Sequence, residues 1–212
     1  MMWLLICVRL AFADGQIWMK GAYRQKVMPK TQMKFTQHLR LNDNGAAVES
    51  VIPEIEVFRK LNSWADVGLG YRYFWRQRNK GGLEPAHRVH VDVDFEGAVS
   101  KQIDVSYRWR IQRRREFDET EGSVTNRHRT MIEFDAPKGF RPLAFVEYHI
   151  ADDAQDKFQL GLGLKYKRNK RERLSFRLMQ ERFVNTTPSN HIAMLGYEYR
   201  FRKKKKKSKK KG

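Results

Sequence analysis

Cysteine is almost absent from this 212-residue chain: the single one, Cys7, lies in the first ten residues, so nothing beyond it supports a disulfide, a redox dithiol or a thiolate metal site. Long apolar runs are missing too, since no stretch approaches the eighteen or more residues of a membrane-spanning helix. No window of ten or more residues repeats its apolar positions every three or four, which argues against an amphipathic helix. The chain also lacks a P-loop, GxGxxG, HExxH or GxSxG, and its six histidines are dispersed. Nucleotide chemistry and the common hydrolase sites lose their sequence support.

Hydrophobic residues at 41% and aromatic residues at 12% are enough to exclude wholesale disorder. The net charge of +19 is unevenly spread: Arg202, Lys203 to Lys207 and Lys209 to Lys211 hold nine positive charges and Arg9 a tenth. At the other end, the apolar run Trp3 to Val8 followed by Ala11-Phe12-Ala13 predicts a secretory signal peptide, residues 1–13, cleaved before Asp14. An N-terminal core strand is the alternative. Residues 14–202 are then expected to form one domain, and 203–212 a self-repelling, disordered poly-Lys tail.

Period two dominates the middle of the chain. Ile103, Val105, Tyr107, Trp109 and Ile111 alternate with Asp104, Ser106, Arg108 and Arg110, giving a strand with one oily and one charged face. The same pattern recurs from Met33 to Leu41, Val51 to Val57, Val67 to Trp75, Val89 to Phe95, Thr130 to Phe134, Ala144 to Ile150, Phe158 to Tyr166, Leu174 to Leu178 and Leu195 to Phe201. With the less regular Ile17 to Lys26, eleven strand-like runs result. Tight turns and polar loops between them predict an all-β, up-and-down antiparallel meander closed into a barrel of about 10–12 strands. Because bacterial outer-membrane barrels use even numbers with both termini on the periplasmic side, ten or twelve is the expectation, with the first run in question.

A soluble lipid-carrying barrel would turn its apolar faces inward; a transmembrane barrel turns them out. Tyr73 with Trp75, Tyr107 with Trp109, Tyr148, Tyr166, Tyr197 with Tyr199, and Phe201 sit on the apolar faces toward strand ends, as a lipid-facing girdle would. The opposite faces mix signs, and a lumen charge network is expected from Arg72, Arg88, Asp92, Asp94, Asp104, Arg108, Arg110, Arg129, Glu133, Glu147, Arg177, Glu181, Glu198 and Arg200. Glycines on those faces would leave volume for arginine side chains. A transmembrane barrel in the bacterial outer membrane is the favoured reading.

Several short motifs point the same way. Trp18, Val51-Ile52-Pro53-Glu54-Ile55, Val67-Gly68-Leu69-Gly70-Tyr71-Arg72-Tyr73, Arg88, the arginine-rich strand to Arg114, Arg127-His128-Arg129 and Gly196-Tyr197-Glu198-Tyr199 resemble an uncharacterised bacterial family of predicted outer-membrane barrels, a domain of unknown function with small porin-like relatives in fold. The resemblance covers about Gln16 to Phe201 and implies no catalytic residue. It departs from the pattern at the end: such barrels usually finish on an aromatic residue that the assembly machinery reads, whereas eleven residues follow Phe201.

Other chemistries have candidate residues in the chain. His90, Asp92 and Asp94 could ligate a metal or form a paired-carboxylate site, but neutralisation of Arg72, Arg108 and Arg110 is the stronger expectation, because buried charges need partners. Ser106 and Ser175 offer hydroxyls to a lipid-directed enzyme without diagnostic spacing to any histidine. A basic nucleic-acid-binding barrel would use Arg113-Arg114-Arg115 and the Lys167 to Arg173 cluster, yet arginines and aromatics stand on opposite faces. The expectation is therefore a barrel of unknown specific role, structural or a small-solute pore, with no catalytic residue, metal or cofactor. Its expected partners are outer-membrane lipid, the barrel assembly machinery and, through the tail, an anionic envelope polymer.

Overall fold

The computed structural model describes residues 15–77, 83–116, 122–152, 156–184 and 189–201. The segments expected to be a signal peptide, 1–13, and a poly-Lys tail, 203–212, lie outside the described residues. Eleven strands follow one another: β1 (Gly15–Met28), β2 (Thr31–Asn42), β3 (Ala47–Lys60), β4 (Ala65–Gln77), β5 (Leu83–Ala98), β6 (Ile103–Glu116), β7 (Ser123–Phe134), β8 (Phe140–Ala151), β9 (Lys157–Lys167), β10 (Glu172–Phe183) and β11 (Ser189–Phe201). Each pairs with its sequence neighbours, and β1 meets β11 to close the barrel. Closure gives every strand two hydrogen-bonding partners and leaves no edge.

The strand number is odd, which corrects the expectation of ten or twelve. The irregular first run is a full strand of 14 residues. It pairs parallel to β11, from Gly15 opposite His191 to Gln25 opposite Phe201, while all other neighbours are antiparallel. An odd meander cannot bring its ends together. Gly15 and Phe201 therefore lie at opposite ends of the barrel, which also corrects the expectation that both termini share a side.

At the Phe201 end the turns are short and locally fixed. Lys30, Lys138 and Gly139 take positive φ in two of them. Asn62 Oδ1 accepts the amides of Trp64 and Ala65 at 2.9 and 2.8 Å, and Asn169 Oδ1 repeats the device on Arg171 and Glu172 at 2.7 and 2.9 Å. Such Asn side chains mimic a backbone turn partner.

Period two sorts the side chains as a barrel wall requires. Leu162 is 68% exposed on the outer face and Leu69 58%, in a band that continues through Ile55, Val91, Ile132, Val146 and Leu195. Contiguous apolar surface of this extent needs an apolar solvent. The inner wall carries the charged residues, together with two small apolar clusters: Met131, Leu143, Phe145, Met179 and Ile192 in one, Ile52, Phe74 and Ala86 in the other. The inner glycines make room chiefly for rings rather than for arginines: a Cβ on Gly70 would overlap the His90 imidazole, on Gly161 the Phe145 ring and on Gly68 the Phe58 ring, and only Gly163 is crossed by an arginine, Arg177.

Candidate functional site: a charged lumen with a cationic vestibule

Register builds the centre of the lumen. Lys34 on β2 stands opposite Glu56 on β3, Glu56 opposite Gly70 on β4, and Gly70 opposite His90 on β5. Because Gly70 has no side chain, His90 reaches across it and Nε2 comes within 3.4 Å of Glu56 Oε1. Lys34 Nζ donates to Glu56 Oε2 at 2.5 Å, and Arg110 Nη2 lies 3.3 Å from Oε1. Glu54, two residues earlier on the same face, is held by Arg72 and by His38 at 3.0 Å. Glu54, Glu56, His90 and Asp92 are all 2% exposed or less. This knot spans five adjacent strands.

Glu54, Glu56 and His90 offer three donor atoms within 4.8 Å of one another, a spacing that could hold a metal. Their oxygens already face Lys34, Arg72 and Arg110, so a metal ion would have to displace three cations. The triplet is an ion-pair knot.

Around it, each residue expected in the lumen faces inward. Asp92 is bound by both ends of Arg110, Asp94 takes Arg108 Nε at 2.5 Å, and Arg72 goes to Glu54 rather than to either aspartate. Glu147 accepts Arg127 at 2.7 Å; Glu181 accepts Gln159 at 2.6 Å and Lys157 at 3.0 Å. Toward the Phe201 end, Arg141 gathers Asp104, Glu133 and Asp135, Lys165 adds to Glu133, and Glu198 sits between Arg200 at 2.5 Å and Arg24 at 3.7 Å. Arg88, Arg129 and Arg177 have no ion pair among the described residues. The alternation from Val51 to Val57 puts Glu54 and Glu56 on one face, but their grouping with Lys34, His38 and His90 depends on the stagger of five strands, which the sequence pattern does not display.

A cavity of about 560 Å³ runs from the Gly15 end, where Gln16, Glu116 and Asn190 line it, down to Arg108, Arg129 and Arg177 at mid-barrel. Its described lining holds thirteen lysines and arginines against six glutamates. Besides the three unpaired arginines, Lys20, Arg40 and Arg76 of that lining lack an ion pair among the described residues, and Arg40 instead lies 4.0 Å over the Trp18 ring. The compensated Arg141 and Glu198 groups are not in its lining. The lumen is thus polarised: a cationic vestibule at the Gly15 end, a neutralised network at the Phe201 end.

The aromatic residues expected as a girdle are on the outer face. Trp75, Tyr107, Trp109, Tyr148, Tyr197 and Phe201 are exposed; Tyr73, Tyr166 and Tyr199 are half-covered by their ring partners Trp75, Phe140 and Tyr23. Phe140, Tyr166, Tyr197, Tyr199 and Phe201 gather at the Phe201 end, and Trp64, Phe95 and Tyr107 stack in succession there. Tyr73, Trp75 and Tyr148 mark the other end. The hydroxyls weighed for catalysis lack a neighbouring histidine in register: Ser106 faces Glu96 and Met131, and Ser175 faces Lys165 and Gly196.

A closed barrel with an apolar outer wall and a charged, cavity-bearing interior is porin-like in architecture. The family model described as "Protein of unknown function (DUF2490)" matches residues 15–193, and the chain belongs to that family. Among solved structures it is similar to the KdgM porin in complex with disordered oligogalacturonate, at 13% identity and a TM-score of 0.51, covering 79% of this chain and 90% of that one. An anion-selective porin from Comamonas acidovorans is also similar, at 11% identity and a TM-score of 0.44, covering 82% of this chain and 54% of that one. Curated proteins contain no match. At 13% identity the likeness to the KdgM porin establishes the fold alone, and the family carries no assigned function.

Proposed function

We propose that this protein is an outer-membrane barrel, exported by a signal peptide in residues 1–13, that admits small anionic solutes into its vestibule and restricts their passage. The carrying observation is the excess of lumen cations, six of them without a carboxylate partner among the described residues. An anion entering from the Gly15 end meets a field of one sign inside low-dielectric walls, which concentrates it. The ion pairs of the Phe201 end narrow the path beyond. Oligogalacturonate in the KdgM structure is itself a polyanion, which suits this solute class.

The outer face supports membrane residence: its aromatic residues at both ends match interfacial belts, and the apolar band between them suits acyl chains. Outer-membrane lipid and the barrel assembly machinery are then its partners. The shorter, tightly closed turns of the Phe201 end suit a periplasmic position for it. An RNA-binding barrel finds little support, because most arginines of the described strands line the lumen, on the face opposite the aromatics.

Planar-bilayer recording across a potassium chloride gradient tests this reading. The expected result is a small conductance with a reversal potential on the anion side. A cation-selective current, or a large, steady and weakly selective one, overturns it.

A further inference from the structure

Three adjacent strands place a guanidinium at one level of the inner wall. Arg72 on β4 is the register partner of Arg88 on β5, and Arg88 that of Arg114 on β6. Like charges opposite one another across a sheet repel. The two outer members are relieved by carboxylates, Arg72 by Glu54 and Arg114 by Glu116 at 2.7 Å. Arg88, in the middle, has no such partner among the described residues.

Its surroundings sharpen the point. Arg88 Nε is buried without a hydrogen-bond acceptor. The charges that act on it most strongly are Arg72, Arg127, Arg114 and Arg40, four cations. Phe74 fixes its plane, with the Arg88 guanidinium carbon 4.6 Å from the ring centroid and that of Arg114 at 5.9 Å from the same ring. All of these residues line the vestibule. A half-buried guanidinium with a sealed, unpartnered Nε among other guanidiniums is an incomplete arrangement, and an anion completes it.

We propose that Arg88 and Arg114, steadied on Phe74, form a subsite for the oxyanion group of a solute: a carboxylate, phosphate or sulfate. The planar fork of Arg88 can engage two oxygens at once, which a spherical chloride cannot match. The subsite rests on the reading of the lumen as an anion path and adds where along that path an anion stops. Arg72, committed to Glu54, contributes field rather than a direct contact.

The full chain folded in detergent micelles tests this, with citrate and inorganic phosphate as separate probes in titration calorimetry. At least one probe should bind. R88Q should weaken that binding at least tenfold, and R88K by less, since it keeps the charge but loses the fork. R173Q, at the Phe201 end, should bind as wild type. Phenylglyoxal modification read by peptide mass spectrometry should show Arg88 protected by the bound probe. Because R88Q removes an uncompensated cation, it should melt no lower than wild type, whereas a purely structural Arg88 predicts a lower melting temperature; should R88Q fail to fold, the protection footprint on wild type and R88K decides. Binding by neither probe, wild-type affinity in R88Q, or protection spread evenly over all arginines overturns the subsite. The two readings fail separately: citrate held at Arg88 in a barrel that is not anion-selective sinks the passage alone, and anion selectivity with unaltered binding in R88Q sinks the subsite alone.

Discussion

Arg110 holds Asp92 in a two-pronged grip, Nε to Oδ1 and Nη2 to Oδ2, both at 2.6 Å. Both side chains are buried, at 4% and 1% exposure, so their mutual attraction is little screened and neither can turn to water if the other is lost. Removing Arg110 alone by Arg110→Ala should cost about 3–5 kcal/mol, the usual consequence of stranding one buried charge. The double change Arg110→Met with Asp92→Leu should recover most of that loss. Urea unfolding in detergent, followed by tryptophan fluorescence, measures both; a double variant as unstable as the single one would show that the pair is needed for more than mutual neutralisation.

Leu162 and Gln159 lie three residues apart on β9 and face opposite ways. Leu162→Arg puts a charge on the outer apolar band and should cost about 2–4 kcal/mol if it sits near the midplane. Gln159→Arg meets Glu147 and Glu181, its register partners on either side, and should be tolerated far better. Folding yield into lipid vesicles, read by the mobility difference between boiled and unboiled samples, distinguishes them. Equal yields would reverse the assignment of faces.

Gly70→Ala should destabilise by about 1–3 kcal/mol, because its methyl would overlap the His90 ring and push it away from Glu56. Gly21→Ala on the outer face of β1 has nothing within 4 Å of the added carbon and serves as the matched control. A thermal melt in which both variants move together would remove the special role given to Gly70.

Deleting Lys203 to Gly212 should leave assembly intact, since β11 ends at Phe201. The cationic tail is expected to bind anionic vesicles or envelope polymer by charge alone, about 1 kcal/mol per basic residue close to the surface. Binding of the intact chain, beyond insertion itself, should therefore fade as salt rises and vanish on deletion. A truncated chain that fails to assemble would move the end of the domain past Phe201.

The outer wall was the legible part of this protein. Alternation such as Val105, Tyr107, Trp109 against Ser106, Arg108, Arg110 carries its own facing, because side chains of a strand must alternate. The mixed-sign inner face was legible in the same way, down to Asp92 and Asp94 meeting arginines on the next strand. What the period hides is the stagger between strands. Glu56 and His90 touch only because Gly70 falls between them, a coincidence of two registers that no single strand displays. Phe74 and Phe145 escaped notice for a related reason: flanked by Tyr73 and Trp75 or by Ala144 and Val146, they read as part of an apolar run, although their parity turns them into the lumen. The odd strand number is legible in the eleven alternating runs, whereas the even parity of bacterial outer-membrane barrels points to ten or twelve.

The parallel seam between β1 and β11 sets an order on how the barrel is made. Every other strand pair is joined by a short connection and can form as its residues become available, whereas Ile17 must find Ala193 across almost the whole chain. Contacts so remote in sequence carry the greatest closure entropy and form late. Until then β1 keeps one unpaired edge, bearing Trp18 and Lys20, and β11 keeps another. The seam is thus the last part of the wall to form, and its closure coincides with the first moment at which the vestibule is complete.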